Sequence, residues 1–469
     1  MIDALLRSGD PIVVLLEAES SAGPRYCSNA GYVSALDDAT APNRPYPDWL
    51  IGVPEIRDEL PDGLFGRSSI GWSESVISNP AGIRDAWLNE AWDGRPVRLL
   101  IGAASWVLAD FEVVFGGIAT GLQADGDGNL RLQLRDAREA LNRPVQAALL
   151  ASGPAANEPR PILLGAVFNV EPPNIDAALH RYEVHDSTVT AIPDVRVGGL
   201  TVSYTADAAN GRFDLGVSPA GRVTTDVTGP LSAAGQILAE IAARAGLALT
   251  DAAALSALDS AAPYALGLWI GERANTLDVL DEIASSVGAW WTVDALGRLT
   301  AAQAGIGTPV LILTADDFAA QKLELVDVQM PAWRVRVGYR HNWSVQTDGL
   351  FAAVAEDTRQ RFGREYDIAE ANDPSVQVLH PHARDPDVAG TLIVGAADAA
   401  AEAARRLALF GVQRRVYRAV CTRRAWPLRA GQTVTVQYPR FGLGAGVDLL
   451  ITRVSRRLDS RTTEVTLWG

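Results

Sequence analysis

Lysine is almost absent. Lys322 is the single lysine among 41 basic residues, and 56 Asp and Glu leave a formal net charge of −15 with a pI near 4.9. A surface without clustered cations does not wrap nucleic acid by neutralising phosphates. It does not exclude DNA passing beside a repelling wall. The preference for arginine, with many alanines, reads as codon composition rather than function. Cysteine is scarce too: Cys27 and Cys421 stand far apart, so neither a disulfide framework nor a four-thiolate metal site is expected. Long apolar runs are missing. Ile12–Leu16 is too short to cross a bilayer, and the N-terminus lacks the cationic start of a signal peptide. The expectation is a chain made in a cytoplasm, with no membrane-spanning segment. Nucleophile motifs are missing as well. Residues 66–71 read GRSSIG, which does not match the nucleophile elbow, and no phosphate loop ends in Gly-Lys.

The 469 residues suggest three or four domains. A composition of 48% hydrophobic and 21% charged residues fits a folded chain. Residues 1–150 read as β-rich and barrel-like. Val97–Ile101, Val107–Phe115 and Ile118–Ala124 are strand-like, with Gly116–Gly117 separating the last two. Leu130–Arg135 alternates apolar and polar, and Asp125–Asn129 (DGDGN) is a hairpin loop by composition. Ile83–Trp92 is a short helix or a bent strand, and Asp136–Leu141 a short helical turn. Residues 151–230 form a connector and β segment. Residues 231–330 form an α/β module: helices over Leu231–Ala245, closed by Gly246, and Thr276–Val287, capped by Asn275, then a hairpin of Ala289–Val293 and Arg298–Ala301. Residues 331–469 form a C-terminal β-module with one Ala-rich helix, Ala396–Phe410, and an irregular stretch over Asp348–Ala389. The fold class expected is α+β and β-rich: barrel-like antiparallel domains with inserted α/β modules.

The punctuation is densest in Pro159–Leu200, where five prolines and Gly198–Gly199 bracket strand-like runs over Ile162–Val170 and Arg181–Ala191. His180 and His185 fall here. A His185–Asp186 dyad is not expected, because neighbours on a strand point to opposite faces. A hydrogen-bonded histidine holding a junction is the simpler reading. His380 and His382, with Asp373, Asp385 and Asp387 nearby, have metal-ligand chemistry, but a proline-rich loop explains them as well. DGDGN resembles the start of a calcium loop, yet Leu130 stands where its glycine belongs and Asp136 where its glutamate does. Trp290–Trp291 and the other tryptophans can stack sugars, but they serve more often as core anchors. No catalytic, cofactor-binding or metal-binding residue is assigned.

Three stretches carry a resemblance: WDGRPVRLLIG with FEVVFGGIATGL and LRLQLRDAREALNRPVQ in residues 92–146; PILLGAVFNVEPPNIDAALHRYEVHDSTVTAIPDVRVGG at 161–199; and NTLDVLDEIASSVGAWWTVDALGRLT at 275–300. Together they resemble the baseplate or tail-tip hubs of long-tailed bacteriophages, siphophages related to Mu-like phages. The resemblance implies a non-enzymatic homotrimeric ring closing the distal end of the tail tube in the virion. It also implies contacts with the distal tail protein, the tape-measure protein, and tail fibres or receptor-binding proteins. Genomic DNA would pass through the lumen unbound. An acidic lumen would limit sticking of phosphates. Some related hubs carry an iron–sulfur site, for which two separated cysteines give no support. Two rivals stay open: a tail-associated cell-wall hydrolase, with His380 and His382 as its best residues, and a carbohydrate-binding tail adhesin displaying tryptophans.

Overall fold

The computed structural model describes Leu5 and residues 10–72, 74–458 and 460–469. The fold is α+β and β-rich, as expected. Its first sheet has seven antiparallel strands in the order Gly23–Ser28, Val13–Ser20, Pro96–Gly102, Glu112–Ala124, Leu130–Asp136, Ser75–Ile77 and Leu50–Gly52. Alternation along Val13–Ser20 sends Val13 and Leu15 into a cluster with Tyr46 and Phe111. Val14, Leu16 and Ala18 enter another cluster with Leu99, Leu132 and Trp92. Both faces of this strand are therefore covered. Each fully buried Leu or Val contributes about 1.5–3 kcal/mol relative to exposure.

Two expected strands are one. Glu112–Ala124 runs unbroken through Gly116–Gly117. The glycines serve close approach instead of a turn: a Cβ on Gly116 would lie 2.2 Å from the Ala295 carbonyl oxygen, and one on Gly117 2.1 Å from that of Arg135. Ile83–Trp92 holds a 3-10 turn, Asp85–Asn89. Ala137–Leu141 is the expected short helical turn, started by Asp136, whose carboxylate accepts the Arg138 N–H.

Strand Ile162–Val170 belongs to two partners. Its first half pairs with Gly267–Ile270 and its second half with Val223–Thr228. Gly165 lies between them with φ +70°, and a Cβ there would fall 1.8 Å from the Leu266 carbonyl oxygen. Ala191–Val197 and Leu200–Thr201 extend this sheet beyond Val223–Thr228. A separate four-stranded sheet follows the order Asn174–Asp176, Arg181–Glu183, Arg212–Leu215 and Tyr204–Asp207.

Helices Ala234–Arg244 and Thr276–Ser286 pack their apolar stripes, Ile237, Leu238, Ile241, Leu280 and Ile283, into one core with Trp291. Asn275 caps the second helix, its side chain accepting the Leu277 N–H at 2.9 Å, and Gly246 takes a positive φ after the first. A third helix, Ala252–Ala261, is capped by Asp251 and has no expected counterpart. The hairpin Ala289–Val293 and Leu299–Gln303 gains a parallel third strand from far upstream, Gly66–Arg67.

The C-terminal sheet runs Pro309–Thr314, Thr433–Gln437, Val447–Arg457, Thr463–Trp468, Arg414–Cys421 and Glu324–Gln329. Its two edge strands are consecutive in the chain. The link between them tucks Phe318 into the core against Cys421, so the sheet curls. Asp348–Ala389 is not irregular: it holds helices Glu356–Phe362 and Pro374–Leu379 and strand Asp367–Asn372, which pairs with Arg334–Tyr339. Helix Ala396–Phe410 is as expected. No helix among the described residues is long and apolar enough to cross a membrane.

Candidate functional site

The stretch of densest punctuation, Pro159–Leu200, is tied to segments further along the chain. Arg181–Ala191 is not one strand. It ends at Glu183, because the N–H groups of Val184 and His185 both turn to the Gly211 carbonyl, at 2.8 and 3.3 Å. The turn overrides strand alternation and brings His185 Nδ1 within 3.4 Å of Asp186 Oδ1, a proximity that strand geometry would forbid. The pair does not form a catalytic dyad. Nδ1 accepts the Leu163 N–H at 3.0 Å, and burial lowers the pKa of the ring below the ordinary histidine value. Asp186 in turn binds Arg244 at 2.7 Å, and its N–H donates to the Pro161 carbonyl at 3.0 Å. Strand Ile162–Val170, the Glu183 turn and helix Ala234–Arg244 are thus clamped together. The carboxylate of Glu183, 1% exposed, holds Arg160 at 2.7 Å and Arg212 at 2.9 Å. His180 contributes through its main chain, with φ +47° and a carbonyl accepting the Leu215 N–H at 3.1 Å.

The far end of strand Ile162–Val170 makes a second clamp that sequence reasoning missed. Asn169 is fully buried at φ +56°. Its amide donates to Asn342 Oδ1 at 2.8 Å, the Ser344 carbonyl at 2.7 Å and Gln346 Oε1 at 3.3 Å. Beside it, Phe168 is covered by three guanidinium groups, Arg361 at 4.4 Å, Arg340 at 4.5 Å and Arg196 at 5.6 Å from the ring centre. Asp194 and Asp226 neutralise Arg196, and Asp367 neutralises Arg361. Nothing in FN at 168–169 marks these residues in the sequence, because their partners lie beyond residue 190.

A third junction joins the two ends of the chain. Strand Glu55–Glu59 pairs antiparallel with Arg453–Arg457 in the long C-terminal strand. Trp426 and Leu458 are buried in the N-terminal core. Asp58 accepts the Ala430 N–H at 3.0 Å, and burial raises the pKa of its carboxyl. Arg456 donates to the Trp426 carbonyl at 2.8 Å, and burial pulls its guanidinium down to about 9.

The remaining candidates do not come together. His380 ends helix Pro374–Leu379 and His382 is exposed. Asp373 caps that helix through the Ser375 N–H, and Asp385 is engaged by Arg334 and Arg336. Asp387 lies exposed beyond them. In the DGDGN loop, Asp125 Oδ1 accepts the N–H groups of Asp127 and Asn129, both at 2.9 Å, which is hairpin-turn chemistry. Asp136 is engaged by Arg138. Ser68 of GRSSIG is buried, donating to the Glu59 carbonyl at 2.8 Å. Trp291 is fully buried with its indole N–H on Asp281 at 2.7 Å, and Trp290 packs against the C-terminal module. Cys27 and Cys421 are both buried, free thiols. Among the described residues no group of three or more His, Cys, Asp or Glu side chains is placed to hold a metal ion.

No family model and no curated protein matches the chain. Among solved structures, it is similar to the tail protein from Neisseria meningitidis MC58, at 12% identity and TM-score 0.46, covering 98% of this chain and 97% of that one. It is also similar to the 43 kDa tail protein of prophage MuSo2 from Shewanella oneidensis, at 11% identity and TM-score 0.41, covering 98% and 96%. A third is prophage tail protein gp18 from Listeria monocytogenes EGD-e, at 9% identity and TM-score 0.45, covering 98% and 94%.

Proposed function

We propose that the chain is a structural, non-enzymatic hub of a phage tail tip or baseplate. It closes the distal tail tube as a homotrimeric ring, anchors the distal tail, tape-measure and fibre or receptor-binding proteins, and opens for DNA ejection. It is made in the host cytoplasm and ends in the virion. Residues 1–150, 151–230, 231–330 and 331–469 serve as its working parts. One observation carries the reading. Two β-modules from opposite ends of the chain are fused edge to edge by the pairing of Glu55–Glu59 with Arg453–Arg457, under a shared core containing Trp426 and Leu458. A ring subunit has to present two β-modules in a fixed relation, and backbone pairing fixes it more firmly than a flexible linker does. The charge of −15 suits a lumen through which phosphates pass. The test is the mass of the purified chain and of the tail particle. A trimer in solution and in the particle is expected, whereas a monomer that forms no ring in virions overturns the reading. A zymogram on cell-wall substrate should stay blank, and turnover there would remove the non-enzymatic part.

A further inference from the structure

A cleft of about 630 Å³ opens beside the Asn169 clamp, between the Pro172–Pro173 corner, the end of strand Gly267–Ile270 and the loop after Arg334–Tyr339. The volume lies within the range of small-molecule sites, roughly 300–1,000 Å³. Two tryptophans line it, Trp269 and Trp343. Trp343 is held from behind by an aromatic column: its ring centre lies 4.1 Å from that of His341, which stacks on Tyr366 at 4.6 Å. Glu365 fixes the imidazole at 3.4 Å from Nε2. Trp269 is 9% exposed, and its indole edge fills the space over Gly271, where a Cβ would lie 2.7 Å from Nε1. Both rings are therefore set before any ligand arrives, which keeps the ordering cost of binding low.

Polar groups face the same space. Glu158, Glu171, Glu272 and Asn174 also line the cleft. Only Glu171 is matched by a cation, Arg222 at 3.4 Å; Glu158 and Glu272 have no ion-pair partner among the described residues. Three carboxylates against one guanidinium make the cleft acceptor-rich and repel anions. The half-buried ring of Trp343 suits the C–H face of a pyranose, and carboxylate oxygens accept from its hydroxyls.

We infer that this cleft binds a short saccharide that is neutral or carries amino groups. Binding of a saccharide by the single chain does not presuppose a ring, so the two readings stand or fall separately. The full chain is titrated with maltotriose, N,N′,N″-triacetylchitotriose, chitotriose and trigalacturonate, read by saturation-transfer NMR and calorimetry. Saturable millimolar or tighter binding of at least one of the first three is expected, with none for the acidic trigalacturonate. Trp343→Ala weakens it at least about tenfold. Because that change also unstacks His341, the exposed-group variant Glu272→Gln is measured beside it: it weakens binding about threefold at an unchanged melting temperature. No saturable binding of any neutral or amino trisaccharide overturns the inference. So does preference for trigalacturonate, binding unchanged in both variants, or capture of an arginine-rich peptide without any saccharide.

Discussion

Asn169 and Asn342 are 173 residues apart, yet the amide of the first donates to the side-chain oxygen of the second at 2.8 Å inside the protein. Asn342 passes the connection on, donating to the carbonyls of Phe362 at 2.8 Å and Arg364 at 3.0 Å. Asparagine is suited to position 169 twice over: it tolerates the left-handed backbone, here φ +56°, and it supplies the donors. Asn169→Gly keeps the backbone and loses the hydrogen bonds, and Asn169→Ala loses both. Denaturant titration should rank them in that order, with Asn169→Ala costing about 2–4 kcal/mol. Equal losses would mean that the backbone conformation carries no energy there.

Glu402 is fully buried between two arginines of its own helix, Arg405 at 2.7 Å and Arg406 at 2.7 Å. Arg405 also reaches the Ala304 carbonyl, and Arg406 the Ser285 carbonyl, tying the helix to the α/β core. Glu402→Gln leaves two guanidinium groups without their counter-ion and should cost about 3–5 kcal/mol. Replacing the whole set, Glu402→Leu with Arg405→Met and Arg406→Met, should recover much of that loss. The measurement is the urea midpoint of each variant beside the parent chain.

Elements with a strong period were legible in the sequence. Thr276–Ser286 shows its cap at Asn275 and its stop at Gly288, and Leu130–Asp136 shows its alternation. What could not be read was pairing across the chain. Glu55–Glu59 lies in a proline-rich stretch that looks merely extended, and its partner is about four hundred residues downstream. Gly116–Gly117 reads as a break because glycine usually marks one, and only the Ala295 and Arg135 carbonyls reveal the packing reason. The helices within Asp348–Ala389 are short and lean on tertiary contacts: buried Phe362 stacks on Phe168 at 5.8 Å. Trp269 and Trp343 carry no local mark of a cleft, because six separate segments build it.

Cys27 and Cys421 lie in the N-terminal and C-terminal cores, both fully buried, and burial pushes each thiol up to about 12. Thiolate is the reactive form. An aqueous thiol reagent at neutral pH should therefore leave both unlabelled in the native chain. As each lies in a different core, labelling across a denaturant series followed by peptide mapping reports which core opens first. Rapid native labelling of either residue would contradict its burial.

His185 gives the chain a dependence on acid. The ring is neutral at Nδ1, where it accepts the Leu163 N–H, and burial holds its pKa below the ordinary value of about 6.5 despite the attraction of Asp186. Arg244, Glu240 and Arg160 also act on it. The unfolded chain then binds the proton more readily than the folded one. Stability is fully present above the unfolded value, and falls as pH drops below about 6.5 toward the lower folded value, by at most about 1.4 kcal/mol per pH unit for this group. His341, also lowered by burial, adds in the same sense. In His185→Asn the side-chain oxygen can still accept the Leu163 N–H but no longer titrates. Its urea midpoint should match the parent near neutrality and exceed it in mild acid. His185→Leu should be weaker at every pH by about 1–3 kcal/mol, because the buried Leu163 N–H loses its acceptor. An acid limb that is unchanged in His185→Asn would assign the dependence to His341 instead.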